Sequence, residues 1–92
     1  MINGNAREFI DGLYYGDERF FLYDGKKYFM QGYYEYKNPM LEVYISEPAN
    51  SSFRWKALSN NNSYPVTEFE TAKIFNGKTF WEVEKEIEWI DC

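Results

Sequence analysis

The sequence predicts an α+β domain: a four-stranded antiparallel sheet with one N-terminal and two C-terminal helices packed on one face, in the order αββββαα. Three observations carry this. Apolar residues recur at spacings of three and four near both ends of the chain, while the middle alternates with period two. Asp24-Gly25 stands between two aromatic runs, a strong hairpin signal because a type I′ turn needs positive φ at both central positions. Strands grouped together and flanked by helices place those helices on one face of an antiparallel sheet.

Each element follows in order. Asn5-Ala6-Arg7-Glu8 reads as a capped helix start, and Ala6, Phe9, Ile10, Leu13 and Tyr14 form one apolar stripe up to Gly16. Gly12 inside that stripe costs a helix about 1 kcal/mol relative to Ala. A two-residue turn at Asp24-Gly25 sets Tyr23 opposite Lys26, Phe21 opposite Tyr28 and Phe20 opposite Phe29. Gly32 marks a bulge or a close backbone approach. Lys37-Asn38-Pro39-Met40 is the expected next turn. Leu41, Val43 and Ile45 then alternate with Glu42, Tyr44 and Ser46 in a half-buried strand. Phe53, Trp55 and Ala57 alternate with Arg54 and Lys56 in a fourth. Thr67-Glu68-Phe69-Glu70 opens a short helix to about Phe75, and Thr79-Phe80-Trp81-Glu82 opens the last one.

The 92 residues make a single domain, 1–92. A chain this short buries only about 60–65% of its unfolded surface, so its core must be efficient. Aromatics make up 22% of the residues, nine of them Tyr, and a buried ring removes roughly 150–250 Å² from water. That is more ring than a small core holds, so several tyrosines are expected at the surface.

On a helical wheel, Phe80, Val83, Ile87 and Ile90 share one arc, the core side of the last helix. Trp81 and Trp89 fall outside it. Glu84, Glu88 and Asp91 gather beside Trp81, with Glu82 and Glu86 near Trp89. Glu82/Glu86 and Glu84/Glu88 are like-charge pairs four apart, each unfavourable by a few tenths of a kcal/mol. Local electrostatics therefore do not explain the pattern. It is either a solvated acidic face or a partner-binding face in which tryptophan anchors and carboxylates meet a basic protein. Residues 67–92 hold seven acids and three bases, against eight and seven in residues 1–66, so most of the net charge of −5 lies in the last quarter. That balance disfavours direct nucleic-acid binding, which needs cations for phosphates.

Catalytic chemistry has little to work with. The chain has no histidine and one cysteine, which removes the usual neutral-pH base and nucleophile pairs and any ordinary zinc site. No catalytic residue, metal or cofactor is expected. Asp11 and Glu42 read as solvent-facing. An alternative aromatic surface is Tyr33, Tyr34 and Tyr36, with Lys and Arg residues beside them, where rings can stack bases or a small ligand. No stretch reaches the ~18 apolar residues of a membrane span, and Met1 to Asn5 carries no apolar leader, so a cytoplasmic setting is expected.

The runs REFIDGLYYGDERFFLYDGKKYFMQGYYE (Arg7–Glu35) and FNGKTFWEVEKEIEWID (Phe75–Asp91) resemble small acidic, largely uncharacterised proteins of bacterial phages and mobile elements. In size, acidity and lack of catalytic groups the chain is similar to anti-CRISPR inhibitors, by type and not by motif. The resemblance implies a non-enzymatic inhibitor that offers an acidic surface to a basic nucleic-acid-binding protein such as a CRISPR effector nuclease. The alternative is a self-associating domain, a homodimer that covers its own exposed rings.

Overall fold

The computed structural model describes residues 1–59 and 61–90. Asn5 is extended (φ −117°, ψ 122°) and its Oδ1 accepts the Glu8 N–H at 3.0 Å, so α1 (Ala6–Leu13) begins at the predicted cap. Its stripe of Phe9, Ile10 and Leu13 is buried. Gly12 has a packing reason. A Cβ there would lie 1.8 Å from the Arg19 guanidinium, which folds across the bare helix backbone. From that seat it covers the Trp89 ring at 4.9 Å and donates to Asp17 at 3.1 Å.

Strands β1 (Arg19–Tyr23) and β2 (Lys26–Glu35) form the predicted hairpin in the predicted register, Tyr23 to Lys26 through Phe20 to Phe29. Asp24 and Gly25 both take positive φ, 53° and 73°. The next turn differs from expectation. It falls on Tyr36-Lys37, and Asn38 and Pro39 already belong to β3 (Asn38–Glu47), where Pro39 stands opposite Tyr34. Pro39 is tolerated because it lies just beyond the β4 pairing, which ends at Met40 and Leu58, so no ladder bond there requires its missing N–H; its carbonyl accepts the Ser59 N–H at 2.9 Å. At Gly32 the close approach is real: a Cβ would sit 2.6 Å from the Gly16 Cα and 2.7 Å from the Tyr64 ring. Strand β4 (Arg54–Leu58) pairs antiparallel with β3.

The C-terminal region corrects the sequence reading. Helix α2 (Val66–Thr71) begins one residue before the Thr67 cap and ends short of Phe75. The final helix is only α3 (Phe80–Val83) followed by one 3₁₀ turn, Glu84–Glu86. Glu88–Ile90 then form β5, antiparallel to β1, which makes the sheet five-stranded in the order β4-β3-β2-β1-β5. The reason is tertiary. In a four-stranded sheet β1 would be a bare aromatic edge, the kind of edge that invites aggregation. Pairing with β1 also ends the Glu84/Glu88 helix repulsion and drops Trp89 onto Phe9. The outer edge of β5 is in turn bridged by Ile2, whose N–H donates to Ile87 O and whose carbonyl accepts from Trp89.

All three helices contribute to a core on one side of the sheet. Phe9, Phe69, Phe75 and Phe80 from the helical side meet Phe21, Tyr28, Met30, Leu41 and Val43. Among the described residues no helix covers the opposite face. Glu42 lies there and is not solvent-facing as predicted. It is 3% exposed, beneath the side chains of Gln31, Arg54 and Lys56, all of which approach its carboxylate. Buried carboxylates need such partners.

Two effects oppose each other at Gly12. Alanine favours a helix by about 1 kcal/mol, but here its methyl would displace a seated guanidinium. Gly12→Ala is expected to destabilise the fold by about 1–3 kcal/mol in urea titration, the usual range for overpacking. A stabilised variant would show that Arg19 does not rest on the helix.

Candidate protein-interaction surface

The residues expected to form an acidic, tryptophan-anchored face are spread over several structural tasks. Glu82 caps α3: its Oε1 accepts the Thr79 N–H at 2.9 Å. Glu84 holds the Met1 ammonium at 2.7 Å. Glu88 lies on the open face of β5 and accepts from the Asn3 amide at 2.8 Å. Glu86 is exposed. Trp81, 37% exposed, donates to Glu70 at 2.8 Å and lies beneath Arg7 at 4.9 Å. Trp89 points the other way from Glu88, into the core side, against Phe9 and under Arg19. Asp91 lies outside the described residues. Both tryptophans thus have partners within the chain, and the helical wheel that grouped these seven residues does not exist beyond Glu86.

The alternative aromatic set fares differently. Tyr33 sits on the open face opposite Met40. Tyr34 is on the other face, edge-on to Tyr64 at 5.8 Å and 60% exposed. Tyr36 stands at the tip of the β2–β3 hairpin and is 91% exposed. The structure adds residues that sequence reasoning missed. Gly16 O accepts the Gly32 N–H, and the Tyr64 ring covers both glycines. Tyr14 and Tyr15, directly before Gly16, are therefore brought to the same end of the sheet, 50% and 82% exposed. Burial and the neighbouring Tyr34 push the Tyr64 hydroxyl above its ordinary pKa, which keeps this ring neutral.

The hairpin tip is also strained. Tyr36 and Lys37 have φ of 51° and 75°, the left-handed region that a two-residue type I′ turn demands. Asn and Gly tolerate it; a residue with a bulky side chain does so at roughly 1–2 kcal/mol. The same chain uses Asp-Gly for the same turn between β1 and β2. So this end of the molecule holds four well-exposed tyrosines, one of them on a turn that a better turn residue would stabilise. The missing Asn or Gly between Glu35 and Asn38 was the signal in the sequence.

Compared with protein-family models, curated proteins and solved structures, the chain matches none. No helix among the described residues is long and apolar enough to cross a membrane. Among those residues no group of three acids or cysteines converges as a metal site. The chemistry this surface offers is that of contact: flat, amphipathic rings with few rotatable bonds, enriched where proteins meet.

Two expectations follow. Lys37→Gly relieves left-handed strain and should raise stability by about 1 kcal/mol, or some 4–8 °C in Tm for a domain of this size. An unchanged or lowered Tm would show that the turn is not strained. The second concerns acid. Thr79 holds the Glu82 carboxyl below its ordinary value of 4.5, and the Asn76 amide, with Lys26, holds Asp24 below 3.8. Depressed folded-state values stabilise the fold above those ordinary pKa values. That stability is lost as pH falls below 4.5 and then 3.8, through the lower folded values. In acid titration by circular dichroism, Glu82→Gln should flatten this limb; an identical slope would remove Glu82 from the account.

Proposed function

We propose that this chain is a non-enzymatic interaction protein that docks onto a basic protein through its tyrosine end. The observation that carries the reading is the strained Tyr36-Lys37 tip, which holds a fully presented ring where Asn-Gly would serve the fold better. Strain kept at a surface point is a mark of function, since stability alone would remove it. Tyr15, Tyr34 and Tyr36 act as anchors, being large, rigid and amphipathic. The net charge of −5 steers the approach toward a positively charged surface and raises the encounter rate more than the final affinity.

An acidic protein held on a nucleic-acid-binding surface competes with nucleic acid there. Inhibition of such a protein, by occupation of its phosphate-binding surface without bond making or breaking, is the role that this reading implies. The anchors differ from those of the sequence reading: Trp89 packs against the core, and Trp81, though at the surface, is held by Glu70 and Arg7, so tyrosines take their place.

The test separates folding from binding. Wild-type protein and a Tyr15→Ser/Tyr36→Ser variant serve as baits in a nuclease-treated bacterial lysate, eluted by a salt step and compared by quantitative mass spectrometry. The variant should melt at or above the wild-type temperature. A basic protein bound to the wild type should fall at least tenfold on the variant, a loss of about 1.4 kcal/mol or more. Equal capture by both baits removes the tyrosine end from the interface. An interaction insensitive to salt removes the charge-steering part.

A further inference from the structure

We infer that Asn76-Gly77 is a site of spontaneous deamidation, and that the reaction loosens the turn that holds Phe75 in the core. The chain contains two Asn-Gly pairs, Asn3-Gly4 and Asn76-Gly77. In both the asparagine has positive φ, 59° and 55°, and both pairs are exposed. Asn-Gly suits a tight turn of that kind. It is also the dipeptide in which the following backbone nitrogen reaches the amide carbon most easily, because glycine has no side chain to screen it. The two sites differ in room. A Cβ on Gly4 would lie 2.4 Å from the Trp89 ring, so that backbone is pressed against a flat wall and has no space to swing. Around Gly77 nothing lies within 4 Å of the same point. The side chains are also held unequally: the Asn3 amide donates to Glu88 at 2.8 Å, the Asn76 amide to Asp24 at 3.2 Å. The Gly77 N–H donates to no group among the described residues, so no hydrogen bond is lost when that nitrogen attacks.

The reaction needs only water. The Gly77 nitrogen bonds to Cγ of Asn76, the Cγ–Nδ2 bond breaks, and Nδ2 leaves as ammonia with the proton of the Gly77 amide. Water then opens the succinimide at either carbonyl carbon, giving aspartate or isoaspartate. Each product undoes something the fold uses. In the aspartate form a carboxylate faces Asp24 where an N–H had donated, and the Tyr23 hydroxyl, 3.5 Å from Nδ2, loses its donor. Lys26, 3.5 Å from Asp24, balances one carboxylate and not two, and Glu86 and Glu88 already share the concavity beside Asp24. Like charges so placed repel. In the isoaspartate form the backbone gains a methylene. A two-residue turn does not accommodate it while Phe75 and Lys78 exchange two hydrogen bonds of 3.0 Å. Phe75 is fully buried against Phe21, Tyr23 and Tyr28, so slack in this turn reaches the core. The inference involves none of Tyr15, Tyr34 and Tyr36 and does not depend on the function proposed for them.

Wild-type protein, folded in mildly alkaline buffer or unfolded in concentrated urea, is aged in parallel, separated by charge and mapped by peptide mass spectrometry. The unfolded chain should react at both Asn-Gly pairs at similar rates. The folded chain should react about tenfold faster at Asn76 than at Asn3, a barrier difference of about 1.4 kcal/mol. The aged species carries one more negative charge than the −5 of the sequence and should melt several degrees below fresh protein. Asn76→Asp, which has the carboxylate without the longer backbone, should also melt below the wild type, by a smaller margin. Equal or faster reaction at Asn3 in the folded chain overturns the proposal. So does an Asn76 that stays intact while the unfolded chain is converted. An aged species that melts with fresh protein overturns the link to the Phe75 turn, and an unchanged Asn76→Asp removes Asp24 from it.

Discussion

Phe75 stands where the molecule closes. It follows α2, in no regular element, yet its ring is fully buried and lies within 6.4 Å of Phe21, Tyr23, Tyr28, Phe69 and Phe80. Its backbone is pinned as well, exchanging two hydrogen bonds with Lys78 across the Asn76-Gly77 turn. Helices of eight, six and four residues have no stability of their own in water. They persist because each contributes rings to this cluster. The same economy explains why the sheet is covered on one side only: one layer of rings uses all the helix that the chain makes.

Short-range chemistry was legible in the sequence. Asn5 caps α1 because its side chain satisfies an orphan N–H within one turn, and Asp24-Gly25 sets the hairpin register because the turn itself demands positive φ. The alternation of Leu41, Val43 and Ile45 put the correct face of β3 inward. Each of these rests on residues within a few positions of one another.

What was not legible depends on distant partners. KTFWEVEKEIEWI holds a helical stripe and, from Ile87 on, an alternation; the stripe is longer and wins when the segment is read alone. The unsatisfied edge of β1, some seventy residues away in sequence, decides in favour of the strand. Glu42 was misread for a similar reason, since its counter-ions come from β4 and its covering amide from β2. Of the candidate site, Tyr33, Tyr34 and Tyr36 were visible as residues. Their company with Tyr14 and Tyr15 was hidden, because it follows from two glycine backbones in contact.

The bridge between Ile2 and β5 has a consequence for how the chain is made. Glu88 lies 85 positions from Asn3, whose amide it accepts, and the central pairing of β1 waits on residues 88–90 for its second neighbour. On a ribosome, the hairpin of β1 and β2 is synthesised well before β5 and is held with one aromatic flank uncovered until residues 88–90 have emerged. Contacts this remote in sequence slow folding, because the loop must close before anything is gained. The nascent chain therefore passes through a stage in which the aromatic strand β1 is complete and its cover does not yet exist.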